Sequence, residues 1–99
     1  MDKNEKRHKK GIDRLVARLS KKNYDAIFTN CMYSSGPMSG ELDVLAIRGN
    51  MAHYYEVKIR KNFSSYKHSL SQIDRVQRAF PNFVIRGIYC PMNSKPERI

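Results

Sequence analysis

Gly40-Glu41-Leu42-Asp43-Val44-Leu45-Ala46-Ile47, then the turn pair Gly49-Asn50, then His53-Tyr54-Tyr55-Glu56-Val57-Lys58, is the stretch that decides the fold. Two runs rich in apolar and aromatic residues flank a glycine-led pair, which is the pattern of a β-hairpin closed by a tight turn. With Gly49-Asn50 as a two-residue loop, the pairing sets Asp43 opposite Glu56 and Glu41 opposite Lys58. Directly opposed residues have Cβ atoms only about 4.5–5.5 Å apart, and like charges there are destabilising. A carboxylate pair so placed calls for a cation between its members. Leu42, Val44 and Ala46 are expected on one face of the first strand, and Tyr55, Val57 and Ile59 on one face of the second. Asp43, Glu56 and Lys58 fall together on the other face.

Working outward, residues from Asn4 to Lys22 carry Ile12, Leu15, Val16 and Leu19 at helical spacing, so a helix with one apolar stripe precedes the hairpin. Glu5 and His8 continue that stripe toward the N-terminus, and Asn23 suits the C-cap. Tyr24–Asn30 reads as a short strand, and Tyr33–Gly40, rich in Ser and Gly, as a loop. Beyond the hairpin, Tyr66–Phe80 reads as a second helix with Leu70, Ile73, Val76 and Phe80 as its apolar stripe. Pro81-Asn82 ends it, and Phe83–Tyr89 reads as a buried strand. The order is helix, strand, strand, strand, helix, strand. That order predicts an α/β fold with a mixed sheet flanked by helices, its last strand–helix–strand unit a right-handed parallel crossover. One domain spans residues 1–90, and 91–99, with two prolines, reads as a flexible tail.

Composition narrows the chemistry. The 99 residues hold 19 Lys and Arg against 9 Asp and Glu, a formal charge of +10, which points to a polyanionic partner. Three of the nine acids, Glu41, Asp43 and Glu56, converge on one hairpin within this basic chain. The hydrophobic share of 40% and charged share of 28% exclude a disordered chain. There is no membrane-length apolar run and no signal-peptide apolar region. Cys31 and Cys90 lack metal-ligand spacing and read as reduced thiols of a cytoplasmic protein. His8, His53 and His68 likewise show no ligand spacing, and no role is assigned to them.

Glu56 and Lys58, two apart on a strand, point the same way about 6.5–7 Å apart. Hydrolysis of a phosphodiester uses a divalent ion to polarise the phosphate and lower the pKa of an attacking water. Carboxylate oxygens suit Mg²⁺. A lysine beside them offsets charge building on the phosphate.

Gly40-Glu41-Leu42-Asp43 with Glu56-Val57-Lys58 resembles the signature of the PD-(D/E)xK nucleases, and the element order over about residues 5–90 is similar to that superfamily's restriction-endonuclease-like core. Within it the chain looks most like small archaeal-type Holliday junction resolvases, and it also resembles phage endonuclease I and virus-type nuclease domains. The position of the family's proline before the acid holds Leu42. The resemblance implies a structure-specific DNA endonuclease using Mg²⁺, with Mn²⁺ able to substitute. It makes Asp43, Glu56 and the Val57 carbonyl the metal ligands, and Lys58 the group that positions the water. It also implies an acid on the first helix, for which Glu5 is favoured over Asp13.

By the same resemblance Ser35 lies in a substrate-side loop, with Gln72 supporting the site. Arg60 and Lys61, and more diffusely Lys9, Lys10 and Lys67, face the DNA backbone. A four-way junction needs two coordinated nicks, so a homodimer is expected; Phe63, Tyr66 and the Phe80–Phe83 corner could form its apolar patch. A nickase or flap nuclease of the same plan, or a non-catalytic nucleic-acid-binding module, are the alternatives.

Overall fold

Residues 2–99 are described by a computed structural model. The elements follow the expected order: α1 (Lys3–Leu19), β1 (Ala26–Ser35), β2 (Met38–Arg48), β3 (Met51–Lys58), α2 (Phe63–Ala79), β4 (Val84–Pro91) and a short β5 (Glu97–Arg98). They build one mixed sheet in the order β1-β2-β3-β4-β5, antiparallel except for the β3–β4 pair on either side of α2. The two helices cover opposite faces. On one, Ile12, Leu15 and Leu19 of α1 pack on Val44, Ala46, Tyr55 and Val57. On the other, Val76 of α2 joins Tyr33, Leu42, Leu45, Ala52 and Tyr54. Among the described residues no helix is long and apolar enough to cross a membrane.

The central hairpin closes as read, with Arg48 paired to Met51 and Val44 to Tyr55. Gly49 has a φ of 56°, the positive value required at the first position of a II′-type turn, and its N–H donates to Asp25 Oδ2 at 2.7 Å. The faces depart from simple alternation. Leu42 packs on the α2 side with Leu45, whereas Val44 and Ala46 lie under α1. The slip occurs where Asn30 of β1 faces Asp43: the pairing runs Thr29–Val44 and then Cys31–Leu42, and Asn30 adopts a φ of 51°. One residue in the left-handed region kinks both strands and turns every later side chain to the other face.

Three further expectations are corrected. The Tyr33–Gly40 segment is a hairpin, with Ser35 paired to Met38 around Gly36, whose φ is 61°. A positive-φ glycine followed by proline suits a two-residue turn, so the strands run on to it. The buried stripe of α2 is Ser69, Gln72 and Val76, while Leu70 is exposed. Residues 91–99, expected as a loose tail, fold back along β4: Arg98 pairs with Ile88, and Ile99 N–H donates to Gly87 O at 2.9 Å. This covers part of an edge that would otherwise offer unpaired backbone groups.

Candidate metal and phosphate site

The β2–β3 ladder stops at Val44–Tyr55, one pair short of Asp43 and Glu56. Beyond it β3 stays paired only with β4, Glu56 to Tyr89, Val57 to Cys90 and Lys58 to Pro91. Asp43 and Glu56 are thus not a ladder pair, and neither are Glu41 and Lys58. The strands part, and the acids stand at the mouth of the fork.

Asp43 lies opposite Asn30, where the β1–β2 pairing skips one pair, and its Oδ2 accepts the Val57 N–H at 2.9 Å, doing for β3 what a backbone carbonyl of β2 would otherwise do. Glu56, on the Tyr54 side by strand alternation, is only 7% exposed, and its Oε1 is buried without a hydrogen-bond partner among the described residues. Burial pushes its carboxyl up to about 7, and the charge of Asp43 adds to this, with Glu41 contributing less; Lys58 pulls the other way. Glu56 therefore senses Asp43, Lys58 and Glu41, although Glu41 is itself exposed.

The helix group that reaches the fork is neither Glu5 nor Asp13 but His8. Its Nε2 lies 2.9 Å from Val57 O and 3.3 Å from Asp43 Oδ2. Glu5, one turn earlier, lines the clefts on either side of His8, one floored by Lys58, Arg60 and Asn62 and the other by Thr29 and Asn30. Asp13 and Lys9 line only the second. His8 was legible in one respect, since it sits four residues before buried Ile12 on the same stripe.

Other expected site residues are dispersed. Ser35 closes β1 at its hairpin turn. Lys61 is bound through its Nζ to the Glu97 carboxylate of β5. Lys67 lies over the Phe63 ring, 5.3 Å from its centroid, and Lys10 is exposed on α1. Gln72 is buried and donates from Nε2 to Tyr33 Oη at 3.0 Å, supporting β1 rather than touching the fork.

The donor set suits a hard divalent cation in chemistry: two carboxylates, one of them buried without a partner, and a main-chain carbonyl. Among the described residues no three His, Cys, Asp or Glu side chains form a metal-holding group, so a cation at the fork would need the main-chain carbonyl beside the carboxylates. No family model matches the chain, and neither curated proteins nor solved structures give a match.

Proposed function

We propose that the chain is a metal-dependent DNA endonuclease of the PD-(D/E)xK plan, acting on branched DNA as a Holliday junction resolvase and, for that reason, as a homodimer. The observation that carries this reading is the fork itself. It gathers Asp43 and a buried, unpartnered Glu56 beside Lys58, in a chain whose formal charge is otherwise +10. Among the described residues Glu56 makes no hydrogen bond that would explain its burial, and holding it beside Asp43 costs stability. A cation and a phosphate account for both.

Asp43, Glu56 and the Val57 carbonyl are the oxygens that would hold the ion. When bound, a divalent cation there polarises the phosphodiester and makes an attacking water more acidic. Asp43 is pinned by the Val57 N–H, so its carboxylate is pre-oriented toward the fork. Lys58, whose charge Glu56 senses, would orient the water and offset charge growing on the phosphate. Arg60, which lines the same cleft as Lys58, would take the adjacent phosphate.

The test is cleavage of a labelled four-way junction beside linear duplex and single strand, with Mg²⁺, with Mn²⁺ and with EDTA. Paired, metal-dependent nicks on the junction alone are expected, and Asp43→Asn should abolish them while junction binding persists. Cutting of flaps or duplex instead would keep the chemistry and change the substrate. Tight binding without cutting under any metal would leave only a binding module, and cleavage surviving in Asp43→Asn would refute the site.

A further inference from the structure

We propose that the cleft between α1 and the folded-back C-terminal segment binds a nucleotide, its base against an apolar wall and its phosphate on Arg14 and Arg18. The cleft holds about 240 Å³, just below the roughly 300 Å³ at which sites for drug-sized molecules begin, so it takes one nucleotide and not a larger cofactor. Leu15 of α1, Val57 of β3, and Cys90, Pro91, Met92 and Pro96 at and beyond the end of β4 give it apolar surface. Leu15, Val57 and Cys90 are buried and form its floor. The outer wall is tied down: Met92 N–H donates to Lys58 O at 2.7 Å, and Asn93 Oδ1 accepts the Lys61 N–H at 3.1 Å. A Cβ built on Gly11 would stand 2.9 Å from Met92 Sδ, so glycine there leaves room for Met92 against the helix.

The charge on this cleft has one sign. Arg14 and Arg18, four apart on α1, both line it, and among the described residues no acid does. Like charges at that spacing repel, and among the described residues neither guanidinium pairs with a carboxylate. Burial pushes the Cys90 thiol up to about 11 while the Arg18 charge pulls it back, so that charge reaches the floor. An anion between the two guanidiniums replaces repulsion by attraction, and phosphate offers the oxygens that their forks match. Bare phosphate would leave the apolar wall unused. A nucleobase covers it, because thioether sulfur packs well on aromatic rings and a guanidinium plane stacks on a base.

Val57 also lines the cleft that carries Lys58 and Arg60, so the two clefts meet at one residue of β3. The occupant is then an unpaired nucleotide of the strand being cut, a choice of source that rests on the nuclease reading. A free mononucleotide has the same chemistry.

The experiment records amide NMR spectra of the full chain in EDTA as deoxyadenosine monophosphate (dAMP), deoxyadenosine or inorganic phosphate is added. dAMP is expected to shift the amides of Gly11, Leu15, Cys90 and Met92 saturably, with deoxyadenosine and phosphate each roughly tenfold or more weaker. Arg14→Gln combined with Arg18→Gln should weaken dAMP by a similar factor. Lys21→Gln combined with Lys22→Gln, which removes the same charge outside the cleft, should not; all four side chains are exposed. A duplex with a one-nucleotide bulge should shift the same amides, and a fully paired duplex should not. If dAMP shifts them and the bulge does not, the strand is overturned as the source and the occupant is a free mononucleotide. Shifts scattered over the surface lysines, phosphate binding as tightly as dAMP, or an unchanged affinity in the double arginine variant would overturn the site. Because EDTA removes any cation, the two levels separate. Junction cleavage without dAMP binding removes this cleft and leaves the nuclease reading; dAMP binding without cleavage of any DNA does the reverse.

Discussion

Glu56→Gln turns the buried carboxyl into a stability measurement. In the folded chain Glu56 holds its proton up to about pH 7, against an ordinary value of 4.5, chiefly because burial penalises its charged form and Asp43 repels it. Between those two values the native state binds more protons than the unfolded state, so stability falls as pH rises through that window. Below 4.5 the group is protonated in both states and contributes no difference. Above 7 the whole cost is present, about 3 kcal/mol at about 1.4 kcal/mol per pH unit. Glutamine has the same shape and does not titrate, so the variant lacks this loss.

Urea denaturation in EDTA from pH 4 to pH 8, run on wild type and Glu56→Gln, isolates the effect. The difference in stability should be pH-independent near pH 4 and then move in the variant's favour by up to about 3 kcal/mol at pH 8. With a urea slope of about 1–3 kcal/mol/M, this displaces the midpoints by about 1–3 M. A constant offset to the amide does not matter, since the reading is the change with pH. Saturating Mn²⁺ at pH 8 should stabilise the wild type, by about 2.7 kcal/mol at a hundred times the dissociation constant, and the variant less. A difference flat from pH 4 to pH 8 would refute the reasoning, because a carboxyl that titrates alike in both states is not held in the desolvated, repelled position described.

Two further predictions concern supports of the site. Tyr33→Phe leaves the Gln72 amide without its acceptor under α2, and should cost about 1–3 kcal/mol in denaturation; replacing Gln72 by Leu in the same chain should recover part of it. Glu97→Gln releases Lys61 from its ion pair and should tighten junction binding at low salt while adding about one to the slope of log affinity against log salt, measured by fluorescence anisotropy.

Much of the architecture was legible because the decisive signals were local. A glycine-led pair between two apolar runs fixed the hairpin register, and the spacing of Ile12, Leu15 and Leu19 fixed the buried face of α1. What failed were rules that assume every residue follows its neighbours. Strand alternation put Leu42 with Val44 and Ala46, but one left-handed residue, Asn30, reversed the faces from Asp43 onward. Asparagine tolerates that conformation better than most residues, yet nothing in an isolated Asn says that it will adopt it. Hydrophobicity put Leu70 inside α2, but Ser69 and Gln72 are buried instead, each with a partner: Ser69 Oγ donates to Ser65 O and Gln72 to Tyr33. A polar side chain with a hydrogen-bond partner can be buried, and composition does not show which residue supplies it.

The fork also decides which substitution tests the chemistry cleanly. Asp43 has one task in the fold and a second in the proposed chemistry: its Oδ2 accepts the Val57 N–H that the ended ladder leaves over, and its charge would hold the cation. Asp43→Ala would remove both at once. Val57 would keep a part-buried donor with no acceptor, a loss of about 1–3 kcal/mol, and the end of β3 that carries Glu56 and Lys58 would be free to shift. A dead enzyme would then say nothing about metal chemistry. Asp43→Asn keeps a carbonyl oxygen where Oδ2 stood, so the N–H stays satisfied and the fork keeps its shape, while the negative charge is gone. Loss of cleavage with the fold and DNA binding intact would then be attributable to the missing charge alone.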